Sequence, residues 1–420
     1  DDALGDYATA ESALLRAAAA ADRAADDDTR AFATIDLVRV VGVRQARFDE
    51  GLHLGELARG AADRLPDNRP AEALLEGRLG DLYLQRGDLE RAEPHIARAI
   101  DLRAQLQGNT SAAYGNAVAA RASLGYLRGD YASALAEYEH ALAIYEQAYG
   151  ANHPALGDVL NNIGATQLTL SRFTDARATF TRTLDLLRGA YGDSHPALAT
   201  VHSNLGMIDQ LEGRYPESLA AYRRAMAIYE AHLPPNHPNR GDCQIDLGNT
   251  HLFAGEYAEA EQAFARALEI YGNTFPPGHV KLIQALASLG RAQLRGGRVA
   301  DAERTFRRAI DSYGGDVTGH ARSLPIAGLG YVELTNGRNA QAIAHLEQAL
   351  ELMPKDPVVL PYDVAEVRFA LARALRRRGP ADAARARELA ETARAEFLGA
   401  GAAYQRAAAE VDAWLSTSAG

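Results

Sequence analysis

The chain has 420 residues, 47% hydrophobic and 24% charged, and its net charge of -11 argues against a nucleic-acid backbone as main partner, because phosphate binding needs clustered positive charge. A single cysteine, Cys243, excludes an internal disulfide framework and a cysteine-cluster zinc site, and fits a cytoplasmic setting. No apolar run of about 18 residues occurs, so direct membrane insertion is not expected.

The chain opens Asp1-Asp2, with no initiator methionine and no signal peptide. Gly5-Asp6-Tyr7 followed by Ala10 reads as the turn and second helix of a repeat whose first helix is missing or irregular, so residues 1–36 are expected to be a partial repeat. Residues 37–70 form a degenerate copy, with Arg47-Phe48-Asp49-Glu50-Gly51 in place of the usual turn. From 71 to 398 the pattern is regular. Leu160-Asn161-Asn162-Ile163-Gly164 returns as His202-Ser203-Asn204-Leu205-Gly206, Gln244-Ile245-Asp246-Leu247-Gly248 and Leu286-Ala287-Ser288-Leu289-Gly290, with glycines 42 residues apart. The same glycine stands at Gly80 and Gly330, and Ala122 and Ala372 fill the remaining slots.

Seven residues on comes a second glycine in most copies, among them Gly87, Gly129, Gly213, Gly255, Gly297, Gly337 and Gly379, with Ser171 in that slot once. A small-residue column follows, running from Ala10 and Gly51 through Ala92, Ala134, Ala176, Ser218, Ala260, Ala302 and Ala342 to Ala384. Four positions later stands a large residue: Ile96, Tyr138, Phe180, Tyr222, Phe264, Phe306 and Leu346. Each copy reads as two helices. Tyr131, Ala134, Leu135, Tyr138, Ala141, Leu142 and Tyr145 recur at spacings of three and four, which makes one apolar stripe on a helix. Gly150 and Gly192 stand where a left-handed C-terminal cap is wanted. The pairs His153-Pro154, His195-Pro196 and His237-Pro238 then open the next first helix. Residues 399–420, with Trp414 on an amphipathic segment from Ala402 to Leu415, are expected to be a capping helix and polar tail.

This grammar resembles the tetratricopeptide repeat (TPR), whose basic unit is about 34 residues. The 42-residue step, the Leu-Asn-Asn-Ile-Gly string and the Tyr-Gly-x-x-His-Pro connection resemble the kinesin-light-chain variety, from about Ala122 to Phe275. The resemblance implies an all-α, right-handed superhelical solenoid of antiparallel helix pairs. Leu37 to Arg64 also resembles repeat regions that follow the kinase domain of large bacterial serine/threonine kinases. Arginine in place of nearly all lysine, with abundant alanine, suits a GC-rich bacterial genome. The ends together suggest the C-terminal region of a longer bacterial protein.

No catalytic constellation is found, and no cofactor or metal is expected. His153, His195, His237 and His279 repeat every 42 residues. Metal ligands sit about 2 Å from a common ion, whereas neighbouring helix pairs lie roughly 10 Å apart, so these histidines read as helix caps. Cys243 matches no nucleophile motif and reads as a structural thiol. Asn162, Asn204, Asp246 and Ser288, two residues before the first glycine, read as ties between repeats more readily than as a ladder for a bound peptide.

In the TPR family the concave surface is lined by first-helix positions six and three residues before the first glycine, then one and about five after it. Carried onto this chain, that register gives Asp158, Asn161, Ala165 and Thr169, then Thr200, Ser203, Met207 and Leu211. The next rows are Asp242, Ile245, Asn249 and Phe253, then Gln284, Ala287, Arg291 and Arg295. Asp158, Asn161, Thr200, Ser203, Met207, Asp242, Asn249, Phe253, Arg291 and Arg295 are the candidate groove residues, with Met207 and Phe253 as apolar anchors for a protein or peptide. The lysine-and-asparagine clamp of chaperone-binding members is absent from these positions. Arg373, Arg376, Arg377 and Arg378, near Arg368 and Arg385, form a late basic patch that reads as a solvated helix face, an acidic-partner site being the sharper alternative. The functional expectation is a non-catalytic binding scaffold. The alternative is a ligand-sensing arm of an upstream kinase or nucleotide-driven switch.

Overall fold

The structure, a computed structural model, describes residues 7–313, 317, 319–353, 361–401 and 404–417. Gly5, Asp6, Ala402 and the end of the polar tail fall outside the described residues. Helices dominate, and no strand occurs among the described residues. The chain divides into two compact units, Asp1–Gly192 and Asp193–Gly420. The first holds α1 (Tyr7–Ala24), α2 (Asp27–Leu37), α3 (Phe48–Ala62), α4 (Arg69–Arg86), α5 (Leu89–Gln107), α6 (Ala112–Leu127), α7 (Tyr131–Tyr149), α8 (Gly157–Thr169) and α9 (Phe173–Tyr191). The second holds α10 (Ala197–Leu211), α11 (Tyr215–His232), α12 (Pro238–Ala254), α13 (Tyr257–Gly272), α14 (Val280–Arg295) and α15 (Val299–Asp311). It continues with α16 (His320–Thr335), α17 (Asn339–Leu352), α18 (Pro361–Arg378), α19 (Ala383–Gly399) and α20 (Gln405–Ser416). Within each unit every helix packs on the next, and first helices such as α4 and α6, or α14 and α16, also touch one another along one face.

Local chemistry fixes the helix ends. His153, His195, His237 and His279 each accept a hydrogen bond at Nδ1 from the backbone N–H two residues on, at 3.2 to 3.3 Å. A ring nitrogen thus satisfies one of the donors that every helix start leaves unpaired. The glycines between paired helices, Gly87, Gly129, Gly213, Gly255, Gly297 and Gly337, have φ between 75° and 86°, and Ser171 adopts φ 58° in the equivalent slot. Gly150 and Gly192 depart from the expected left-handed cap. Their φ is 89° and 80°, but ψ is 153° and 176°, so the chain leaves the helix extended toward the next histidine.

Packing explains the columns. A Cβ on Gly164, Gly248 or Gly290 would come within 2.5 to 2.7 Å of the ring of Phe180, Phe264 or Phe306, which lies against the bare backbone. The small residues Ala92, Ala176, Ala260, Ala302 and Ala342 are fully buried at 0%, where they let helix axes approach. The last member of that column is a correction. Ala384 is exposed, and Ala386 takes the buried place at 1%. A 3-10 turn at Pro380–Asp382 lengthens the connection and moves the register by two. The degenerate copy has its own device. A π-helical stretch, Val38–Arg44, extends α2, and Gly42 and Gly51 abut each other and Leu82 so closely that neither tolerates a Cβ.

Candidate functional site

In the first unit the first-helix face carries a cleft of about 380 Å³, walled by α4, α5, α6, the turn before α8, and α8 itself. Leu74, Gly77 and Asp81 on α4, and Asn116, Ala119 and Ser123 on α6, all line it. They stand six and three before, and one after, Gly80 and Ala122. Extending the register from those two slots finds them; the candidate set starts two repeats later, at the Gly164 slot. Asp158 lines the opposite wall and is exposed. Asn161 is half-buried on α8, and its neighbour Asn162 forms the wall instead. Tyr145 donates its hydroxyl to Asn116 Oδ1 at 2.5 Å, and Ser123 Oγ lies 2.8 Å from the Tyr138 hydroxyl.

Arg78 and Arg103 add charge that the lining register does not contain. Arg78 meets Asp36 at 3.4 Å, and its buried Nε has no partner. Burial and the neighbouring Arg39 hold the Arg78 guanidinium below the ordinary arginine value; burial and Arg78 do the same to Arg103. Burial pushes the Asp81 carboxyl up to about 6 against the pull of Arg78, Arg44 and Arg39.

In the second unit Tyr229 bonds Thr200 and Ser203, and Tyr271 donates to Asp242 at 2.5 Å. Lys281 holds the same carboxylate at 2.5 and 2.7 Å. Met207 is 39% exposed and Asn249 is half-buried. Phe253 is not free to anchor a partner. Its ring packs edge-on against Tyr404 at 5.5 Å and Tyr362 at 6.4 Å. Arg291 pairs with Glu366 at 3.0 Å and Asp363 at 3.5 Å, and Arg295 reaches Glu366 at 3.4 Å. The chain's own C-terminal repeat therefore covers the expected groove at Phe253 and Arg291, because α18 and Tyr404 pack back against α12 and α14, while Arg295 is paired but stays exposed.

The late arginines disperse into internal contacts. Arg376 lies over the Trp414 ring at 4.6 Å and donates to its carbonyl, Arg377 donates to Leu334 O at 2.9 Å, and Arg378 pairs with Asp382. Arg385 pairs with Glu347 at 2.8 Å, and Arg368 with Glu396. Cys243 is 1% exposed and donates to the Tyr222 carbonyl at 3.3 Å, and burial raises its thiol far above the reactive range. Among the described residues no cluster of metal-ligating side chains occurs, and no helix is long and apolar enough to cross a membrane.

Stacked helix pairs, one per sequence repeat, with a lined first-helix face, define a helical-repeat protein. Tetratricopeptide repeat profiles match residues 74–110, then 115–189, 160–231, 197–273 and 244–314, then 328–397. The chain belongs to the tetratricopeptide repeat family. Among solved structures it is similar to the apo form of RapI, with a TM-score of 0.64 at 11% identity over 87% of this chain and 97% of that one. A Rap protein complexed with Competence and Sporulation Factor gives a TM-score of 0.56 at 13% identity, covering 92% and 99%. A putative kinesin light chain from Podosopora anserina, with nearly identical TPR-like repeats, is 22% identical over 48% of this chain and 95% of that one, at a TM-score of 0.38. A search of curated proteins finds no match.

Proposed function

We propose that this TPR scaffold binds an extended segment of a partner protein on its first-helix face, and that the cleft of the first unit is the principal seat. The observation that carries the reading is the cleft itself, about 380 Å³ and lined at the −6, −3 and +1 positions by short side chains and amide groups. Such a surface suits a peptide held by side-chain hydrogen bonds and shallow pockets. In the second unit, Thr200, Ser203, Met207 and Asn249 offer a first-helix stretch of their own. Phe253, Arg291 and Arg295 serve that unit's own closure in this reading.

The test is a display screen for binding peptides, followed by titration against three proteins. Gly77→Trp fills the cleft, since a Cβ at Gly77 meets nothing within 4 Å, and it should weaken binding at least tenfold. Glu139→Arg, on the exposed side of α7, should leave affinity unchanged. If the α7 variant loses binding and the cleft variant keeps it, the first-helix face is not the site.

A further inference from the structure

Arg103 occupies a column that holds tyrosine in four other repeats and an apolar residue, Leu187 or Met353, in two more. Tyr145, Tyr229, Tyr271 and Tyr313 stand at the same distance from their first-glycine slots as Arg103 does from Gly80. Tyr145 and Tyr271 donate their hydroxyls to the side chain six residues before that slot, Asn116 and Asp242, and Tyr229 is hydrogen-bonded to Thr200 at the same place. In the repeat of Arg103 that residue is Leu74, which can accept nothing. Arg103 is half-buried in the cleft wall and makes no hydrogen bond or ion pair among the described residues. Beside it lies Arg78, whose one ion pair among the described residues is the 3.4 Å contact to Asp36 and whose Nε is buried without a partner there. Two neighbouring, partly desolvated guanidiniums with few protein acceptors are a ready seat for a ligand that supplies one. The Asn116 carbonyl is taken by Tyr145, which leaves its amide N–H groups for the same acceptor.

We propose that Arg78 and Arg103 receive one carboxylate side chain of the bound peptide. The inference rests on the peptide-binding reading above and adds the chemistry the cleft selects. Asp81 next to Arg78 and Asp158 on the opposite wall limit the site to a single carboxylate, since a run of acidic residues would meet these two. Burial pushes the Asp81 carboxyl up to about 6, so it is largely ionised at neutral pH and repels a second carboxylate there.

The experiment uses the full chain and an array of N-acetylated, C-amidated octapeptide pairs that differ only in Glu or Gln at one position. Among pairs that bind, the Glu member should bind at least tenfold more tightly, and a triple-Glu version should gain nothing further. Arg103→Gln should erase the preference, Arg103→Lys should keep part of it, and Arg103→Tyr, which restores the column's residue, should erase it with the unfolding midpoint held. Equal affinity for Glu and Gln members, with Gly77→Trp still blocking both, overturns the carboxylate assignment and leaves the peptide cleft standing. No binding by any member, or binding indifferent to Gly77→Trp, overturns the cleft reading itself. Stabilisation by inorganic phosphate alone, without any Glu preference, shows a free-anion site and equally overturns the proposal.

Discussion

Replacing the first glycine of a repeat by alanine should change stability in an order set by the distance to the ring beneath it. An added Cβ would lie 2.5 Å from Phe264 at Gly248, 3.1 Å from Tyr222 at Gly206, and beyond 4 Å from anything at Gly189 in α9. Ordinary carbon contacts lie at about 3.5–4.0 Å. Phe264 is fully buried at 0%, so its ring has nowhere to retreat. Alanine gains about 1 kcal/mol over glycine within a helix, while an extra methyl in a packed core costs about 1–3 kcal/mol. Gly248→Ala should therefore lose about 1–2 kcal/mol, Gly206→Ala should come out near balance, and Gly189→Ala should gain about 0.5–1 kcal/mol. Urea unfolding followed by far-ultraviolet circular dichroism reads these as shifts in midpoint. In a Phe264→Leu background, which removes the ring, the alanine penalty at position 248 should shrink, a coupling that a double-mutant cycle measures. If Gly189→Ala and Gly248→Ala shift the midpoint the same way, or Gly206→Ala costs more than Gly248→Ala, ring contact is not the reason for the glycine column.

Ser171→Gly should stabilise the chain by about 1 kcal/mol, because serine there holds a left-handed φ of 58° that glycine adopts freely; a lower thermal midpoint contradicts this. Phe253→Ala should destabilise by about 3 kcal/mol, the low end for truncating a packed phenylalanine, and an unchanged midpoint would mean that the Tyr362 and Tyr404 contacts are not maintained in solution. Burial, with Asp242 adding, pushes the Asp246 carboxyl up to about 7. Between its unfolded value near about 4 and that pH the native state keeps a proton the unfolded state has lost, so stability falls as pH rises through the window and levels above it. Asp246→Asn cannot titrate, so it should match the wild type near pH 4 and exceed it by about 1–3 kcal/mol at pH 8; a constant difference across that range refutes the burial argument.

The repeat was legible because its causes are local and recur. A positive φ between paired helices, a histidine capping four successive first helices, and a large side chain facing a bare glycine backbone recur from copy to copy, so they print as columns. Where a copy departs locally, the columns mislead: the 3-10 turn before α19 moved the buried position from Ala384 to Ala386, and nothing in the spacing of the other copies announces it. The candidate site was legible only as a register. It names which first-helix positions line a face, and the cleft residues from Leu74 to Ser123 obey it.

Which lining residues stand open is a long-range matter that no periodicity encodes. Phe253 and Tyr404 are 151 positions apart in the chain, and Arg291 and Glu366 are 75 apart, yet each pair is in contact. Those contacts depend on how small angular steps between successive helix pairs accumulate, and each step is set by side-chain packing rather than by the columns. The sequence by itself determined the helix pairs, their caps and the face they present. The tertiary structure alone decided that one stretch of that face in the second unit is filled by its own last repeat, and that Arg78 and Arg103 meet in a cleft where Leu74 offers them no acceptor.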